Sequence, residues 1–447
     1  MNRTALAITL IAVTAQVTRA EAPTYQPPTP KRAVPDYDGR GKPPARAADV
    51  ALLPVRVLLS PLYVVSEMIR QTVGAVATAA ERSELPRKAY DFFAFGPNHG
   101  IGVVPIGFVA FGLNPSVGAY AFWNDAFFVR GNNLHLRVEA WPDEWFGGLL
   151  SDRWRIDGDG NALQFRSTVV RRPDRPFYGL GPRSRQADES RYTEARFDTE
   201  LSFEARTWRS SRVIVASGVR AMNVTAGHYQ GDPSVDESAS MGTFELPFGF
   251  GHSYAGPTGR LYATIDTRPA DAPNGSGVHV EAQALAGSDL SRARASGWLR
   301  YGAVGSGVLD LDGHGRNVEL SVAALFADPL SAEPIPFTEL VTLGGPIWMT
   351  GYYPGRLVDR SAAVASLSYR WPIALYIDAT LQGTVGNVFG AHLDGFDPGL
   401  LRLSGGIGLR TTTDPHVELF AGVGTDTFEN GTKVQSVHLF FGVPQAF

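Results

Sequence analysis

The residues best able to do chemistry in this 447-residue chain are scattered. Its nine histidines are His99, His135, His228, His252, His279, His314, His392, His416 and His438. None pairs with carboxylates at helical i, i+3 or i, i+4 spacing, so no metal-ligating set forms. The absence of cysteine excludes disulfide scaffolds, thiolate metal sites and cysteine nucleophiles. Asp157-Gly158-Asp159-Gly160-Asn161 and Asp310–Gly315 have the look of acidic calcium loops. Both fall between alternating segments, where Asp, Gly and Asn serve the backbone of a turn. His252-Ser253 lacks an acid partner. The chain is therefore expected to have no catalytic residue, no metal and no cofactor, and not to be an enzyme.

The elements that would position such residues are more informative. A formal net charge of −4 excludes a strongly basic nucleic-acid binder. No run of apolar residues beyond the N-terminus is long enough for a spanning helix. What remains is rich in Gly and aromatics with a mean hydropathy of −0.07, as in a membrane β-barrel. Residues 1–20 read as a secretory signal: Arg3 precedes an apolar stretch, and Thr18 and Ala20 are small residues at a cleavage site. Residues 21–60 form a Pro-rich linker, and 61–100 hold an amphipathic helix with its lead-in. Ser60-Pro61 starts that helix over 61–82, with Leu62, Val65, Ile69, Val73 and Val76 on one face.

From residue 101 to 447 the pattern has period two. Phe197, Leu201 and Phe203 alternate with Glu194, Arg196, Asp198, Glu200 and Glu204. Val318, Leu320 and Val322 alternate with Asn317, Glu319 and Ser321. Dense charge of both signs on the polar faces suits a wet lumen rather than a sandwich core. Strands are predicted near 101–112, 116–124, 131–142, 147–157, 161–171, 191–207, 210–226 and 257–267. Eight more fall near 277–287, 290–304, 316–327, 361–371, 373–386, 399–411, 415–424 and 434–443. The expected fold is all-β: a 16-stranded antiparallel transmembrane barrel, even-numbered as bacterial barrels are. Short periplasmic turns are predicted at Trp208–Ser210, Trp371-Pro372 and Thr411–Asp414, and long outer connections at 172–190, 227–256 and 328–360. Phe441 and the terminal Phe447 share the lipid-facing parity of the last strand. They resemble the C-terminal signal read by outer-membrane assembly machinery, although Gly442 stands five residues from the end rather than three.

Several motifs, in order, resemble the BamA/TamA-type assembly barrels of the bacterial surface antigen family. They are Phe177-Tyr178-Gly179-Leu180-Gly181, Asp266-Thr267-Arg268 followed by Pro273 and Gly275, and Gly344-Gly345 followed by Gly351-Tyr352. Tyr369-Arg370-Trp371-Pro372-Ile373 and Gly386-Asn387-Val388-Phe389 complete the set, which covers about residues 175–447. The resemblance implies sixteen strands, and a loop at 328–360 that folds back into the lumen. It also implies an Arg on that loop, held by acids on strands twelve and thirteen. Here the matching positions are Thr350, Ser368 and Thr384, and all three are neutral. The loop is therefore expected to be held by neutral hydrogen bonds, each worth about 1 kcal/mol net. Residues 21–100 leave no room for the array of POTRA domains that captures client chains in the family.

The resemblance implies a POTRA-less bacterial outer-membrane barrel acting in insertion or translocation of protein or lipid. Its partners would be outer-membrane lipid and the assembly machinery, with no nucleic acid. The alternative is a pore-forming or structural barrel, working as a homo-oligomer, that has lost the insertase mechanism.

Overall fold

In the computed structural model the described residues are 88, 91–96, 99–142, 145–158, 160–269, 275–291, 296–311, 313, 315–374, 376–412 and 415–443. The signal sequence, the linker, the 61–82 helix and Phe447 lie outside them.

Sixteen antiparallel strands close into a barrel. The first eight are β1 (Ile101–Ala110), β2 (Ser116–Asn124), β3 (Asn132–Trp141), β4 (Trp145–Arg155), β5 (Ala162–Phe177), β6 (Ser190–Arg206), β7 (Arg212–Ala226) and β8 (Ser253–Asp266). The second eight are β9 (Gly277–Asp289), β10 (Ser296–Asp310), β11 (Asn317–Pro329), β12 (Ser361–Ala374), β13 (Ile377–Phe389), β14 (Arg402–Thr411), β15 (Glu418–Thr427) and β16 (Val434–Gly442). Each strand pairs with its neighbours in sequence, and β16 returns to β1. The two-residue strand Ala94–Phe95 adds to the free edge of β1, opposite Ile101 and Gly102.

Alternation explains which side chain goes where, since successive residues of a strand point to opposite faces. Leu320 and Val322 stand outward and more than half exposed, whereas Ser321 between them faces the lumen. The long connections 178–189, 227–252 and 330–360 gather at one end of the barrel, and short turns such as 207–211 at the other. The 330–360 loop carries a small hairpin, Val341–Leu343 with Leu357–Asp359. Its apolar residues Phe337, Leu343, Met349, Tyr352 and Leu357 are buried against Phe177, Trp298 and Val388 from the wall. The barrel's core is thus a loop packed inside a tube.

Three expectations about strand ends need correction. Trp371-Pro372 is no turn: both lie in β12, which runs on to Ala374. Pro372 is tolerated there because the register shifts between Pro372 and Ala374, a bulge where a missing donor costs nothing. The strand expected at 290–304 is β10 at Ser296–Asp310, because Gly305 and Gly307, which read as loop, occupy outward strand positions instead. Similarly, β5 extends past residue 171 to Phe177, through a register shift between Arg172 and Arg175.

Candidate functional site

The 330–360 loop enters the lumen and touches the wall at three places. At the first, Gly344 and Gly345 turn the chain with φ of 107° and 87°. A Cβ on Gly344 would lie 2.1 Å from the Tyr353 carbonyl oxygen, so only glycine fits. This turn delivers Thr350, Gly351 and Tyr352 to β13–β16. The Thr350 hydroxyl donates to Gln382 Oε1 on β13 at 3.3 Å, and its carbonyl accepts from His438 Nδ1 on β16 at 2.8 Å. Gly351 N–H donates to Ser404 Oγ on β14 at 2.8 Å, while Ser436 Oγ donates to the Gly351 carbonyl, also at 2.8 Å. The Tyr352 hydroxyl donates to the carbonyls of Leu403 and Thr425, and its ring fills the space that a side chain at Gly424 would need. All these groups are neutral.

Thr384 and Ser368 both face the lumen, yet neither bonds Thr350. Thr384 Oγ1 meets Ser366 Oγ at 3.3 Å. Gln382 donates to the same Ser366 oxygen at 3.1 Å and so links the two. Ser368 sits nearer the short-turn end, in a polar recess of about 250 Å³ with Arg268, His279, Glu319 and Arg370. The residues missed from sequence are therefore Gln382, Ser366, Ser404, Ser436 and His438.

The second contact is ionic and lies on the opposite wall. Glu339, fully buried at the end of the short helical turn Phe337–Glu339, accepts from Arg220 Nη1 on β7 at 2.7 and 2.8 Å. The Tyr254 hydroxyl on β8 donates to it at 2.7 Å, and Arg300 on β10 stands 3.8 Å away. An acid in the apolar stretch Ile335–Leu343 was a sequence signal for this contact that went unread.

The third contact closes the long-loop end. Arg356, with no exposed surface, donates to Ser184 Oγ at 2.8 Å, to the Ser184 carbonyl at 3.0 Å and to Gln186 Oε1 at 3.2 Å. It lies 4.4 Å over the Tyr178 ring. Burial, with Arg402 beside it, pushes the Arg356 guanidinium down to about 10. Arg402 of β14 holds the same segment, donating to the carbonyls of Pro182 and Ser184 at 3.1 and 2.8 Å. The Phe177–Gly181 tract thus leads into a strap that ties the loop to the rim.

The remaining motifs are structural neighbours rather than parts of this clasp. Arg268 makes a forked pair with Asp266, at 2.9 and 2.7 Å, and Ser210 Oγ from the preceding turn donates to the Arg268 carbonyl. Tyr369 points outward, stacked on Trp371 at 4.9 Å with Arg316 donating to its hydroxyl, while Arg370 faces the lumen. The Asp157 and Asp310 carboxylates accept backbone N–H groups of their own turns, from Asn161 at 3.0 Å and Gly313 at 3.0 Å.

The seam between β16 and β1 differs from every other strand junction. Among the described residues, Phe440–Ala110, Phe441–Val109 and Gly442–Phe108 pair across it, flanked by backbone bonds from Phe111 N–H to the Leu439 carbonyl and from Val443 N–H to the Gly107 carbonyl, whereas other neighbours match along eight residues or more. One reason is that β1 ends at Ala110, which leaves Val434–Leu439 of β16 beyond its reach; at the other side Gly442 bends the chain with a φ of +132°, and a Cβ there would lie 2.0 Å from the Gly107 carbonyl oxygen. Val443 is buried beside Ile106 and Tyr120, and its carbonyl accepts from Arg137 Nη2 at 3.1 Å. Phe441 keeps its outward place, 56% exposed.

No protein-family model matches this sequence, and no curated protein sequence matches it either. Solved structures do. The chain is similar to the crystal structure of BamA from Haemophilus ducreyi lacking POTRA domains 1-3, with a TM-score of 0.51 and 13% identity over 76% of this chain and 70% of that one. CdiB from Acinetobacter baumannii aligns with a TM-score of 0.46 and 12% identity, over 76% of this chain and 58% of that one. What is shared at such identities is the fold, a BamA-type sixteen-stranded barrel.

Proposed function

We propose that this chain is a bacterial outer-membrane barrel of the BamA/TamA type, inserting or translocating protein or lipid through the seam between β16 and β1. Its long loops face outward and its short turns face the periplasm. The short seam carries this reading. Among the described residues, three pairs resist opening far less than the eight or more elsewhere, and a parted β1 edge offers unpaired N–H and C=O groups to an incoming strand. The chain works by backbone pairing and contact with bilayer lipid, not by covalent chemistry, and needs no cofactor. Assembly machinery that reads the last strand delivers it to the membrane.

The test is folding of urea-denatured outer-membrane barrels into liposomes that already hold this protein. Faster folding than in empty liposomes is expected, and an unchanged rate would overturn the insertase reading. One observation favours a second reading, a structural or oligomeric barrel: the loop clasp around Thr350 is neutral where the family resemblance implies charge. Equal folding rates together with a stable homo-oligomer in detergent would support that reading instead.

A further inference from the structure

Strand register lays out the outer wall of β4–β8 in rows. One row reads Phe146, Arg171, Ala195, Asn223, Ser253 from strand to strand. The next row toward the short-turn end reads Gly148, Val169, Phe197, Ala221, Ala255. Small side chains of both rows leave a shallow, open groove of about 580 Å³, bordered by the bulky Phe146, Val169 and Phe197. The groove is polar above and apolar below.

Arg171 decides what fits. From this row down to the short-turn rim, the described outward positions of β4–β9 carry no other Arg, Lys or His. Leu163, Phe203, Val215 and Leu261 form the outward row eight residues below. At about 3.4 Å per residue and a tilt of about 40°, that row lies roughly 20 Å lower, close to the ~25 Å apolar band of such barrels. Arg171 thus stands at the upper edge of the band, at headgroup height, with Asn223, Ser253 and Ser291 as polar neighbours. A cation above an apolar trough matches a lipid with an anionic headgroup and an acyl chain below it.

We infer that this groove seats one phosphate-bearing, acylated lipid of the outer leaflet. Its headgroup phosphate meets Arg171, and one chain lies along Val169, Phe197, Ala221 and Ala255. The seat rests on the outer-membrane placement proposed above, but not on insertase activity.

The experiment is native mass spectrometry of the full chain released from phosphatidylcholine nanodiscs doped with diphosphoryl lipid A. Wild type is expected to retain the lipid. R171Q is expected to retain about tenfold less, the loss of one charge-assisted contact. A221F, which fills the trough, is expected to lose it too, and fully dephosphorylated lipid A is expected to bind wild type as poorly as lipid A binds R171Q. Unchanged heat-modifiable gel mobility confirms that each variant is folded, and if A221F does not fold, R171Q and the dephosphorylated lipid carry the test. Free inorganic phosphate should not displace the lipid; if it does, a bare anion site replaces the lipid seat. Equal retention across variants and lipids would overturn the proposal. So would a wild-type dimer without lipid that R171Q or A221F dissociates, because the occupant would then be a second copy.

Discussion

Thr350 is the residue whose identity most changes the lumen. It donates to a glutamine amide where a guanidinium would need acids, and every group around it is neutral. Placing a charge there has a calculable effect. T350R alone should destabilise the barrel by about 3–5 kcal/mol, the cost of an uncompensated buried charge, and T350R with Q382E should recover much of it. The midpoint of heat-modifiable gel mobility reads both, and equal midpoints for the single and double variants would refute the clasp. Across the lumen, E339Q should cost about 1.5–3 kcal/mol, by weakening charged hydrogen bonds from Arg220 and Tyr254. It should also expose 330–360 to added protease, and resistance equal to wild type would show that Glu339 does not hold the loop. At Arg356 the sign runs the other way. Its folded value of about 10 lies below the ordinary one, so the charged form is penalised in the fold, and the penalty eases as pH rises past 10. Wild type should therefore gain stability relative to R356Q between pH 9 and pH 11, and a constant difference would show that Arg356 is not desolvated.

Strands were largely legible in the sequence, because a wall with lipid on one face and water on the other imposes strict alternation. Sixteen segments and three long connections follow from that pattern alone. Strand ends were less legible. Pro372 reads as a turn until its bulge is seen, and Gly305 and Gly307 read as loop although the ladder carries them. The clasp illustrates a different limit. Parity turns Thr384 and Ser368 inward, but it says nothing about the height at which the loop meets the wall. That height follows from the loop's path through Gly344 and Gly345, and it selects Gln382, the cross-strand partner of Ser368. Glu339 escaped notice because its partners Arg220, Tyr254 and Arg300 come from three strands distant in sequence. At the same scale, Gly442 sets where β16 leaves the sheet. G442A puts a Cβ against the Gly107 carbonyl at a positive φ and should cost about 1–3 kcal/mol. An unshifted melting midpoint would mean that β16 does not bend there.

For the molecule as a whole, the loop and the seam divide the work of holding the barrel shut. The loop bonds β13–β16 through Thr350, Gly351 and Tyr352 and bonds β7 and β8 through Glu339, and at the seam itself the Tyr353 hydroxyl donates to the Val437 carbonyl of β16 while its ring lies against Gly112, just beyond β1. Opening at the seam then has to release the single Tyr353 contact there, while the loop's other bonds keep the rest of the wall paired. The absence of cysteine from the sequence makes this directly accessible. Val109 and Phe441 face each other across the seam, so V109C with F441C places two thiols at paired positions. The decisive measurement is the rate at which urea-denatured barrels fold into liposomes holding this double variant, oxidised and then reduced. Acceleration under reducing conditions that disappears on oxidation is the expected result. Equal acceleration with the seam covalently closed would contradict the account.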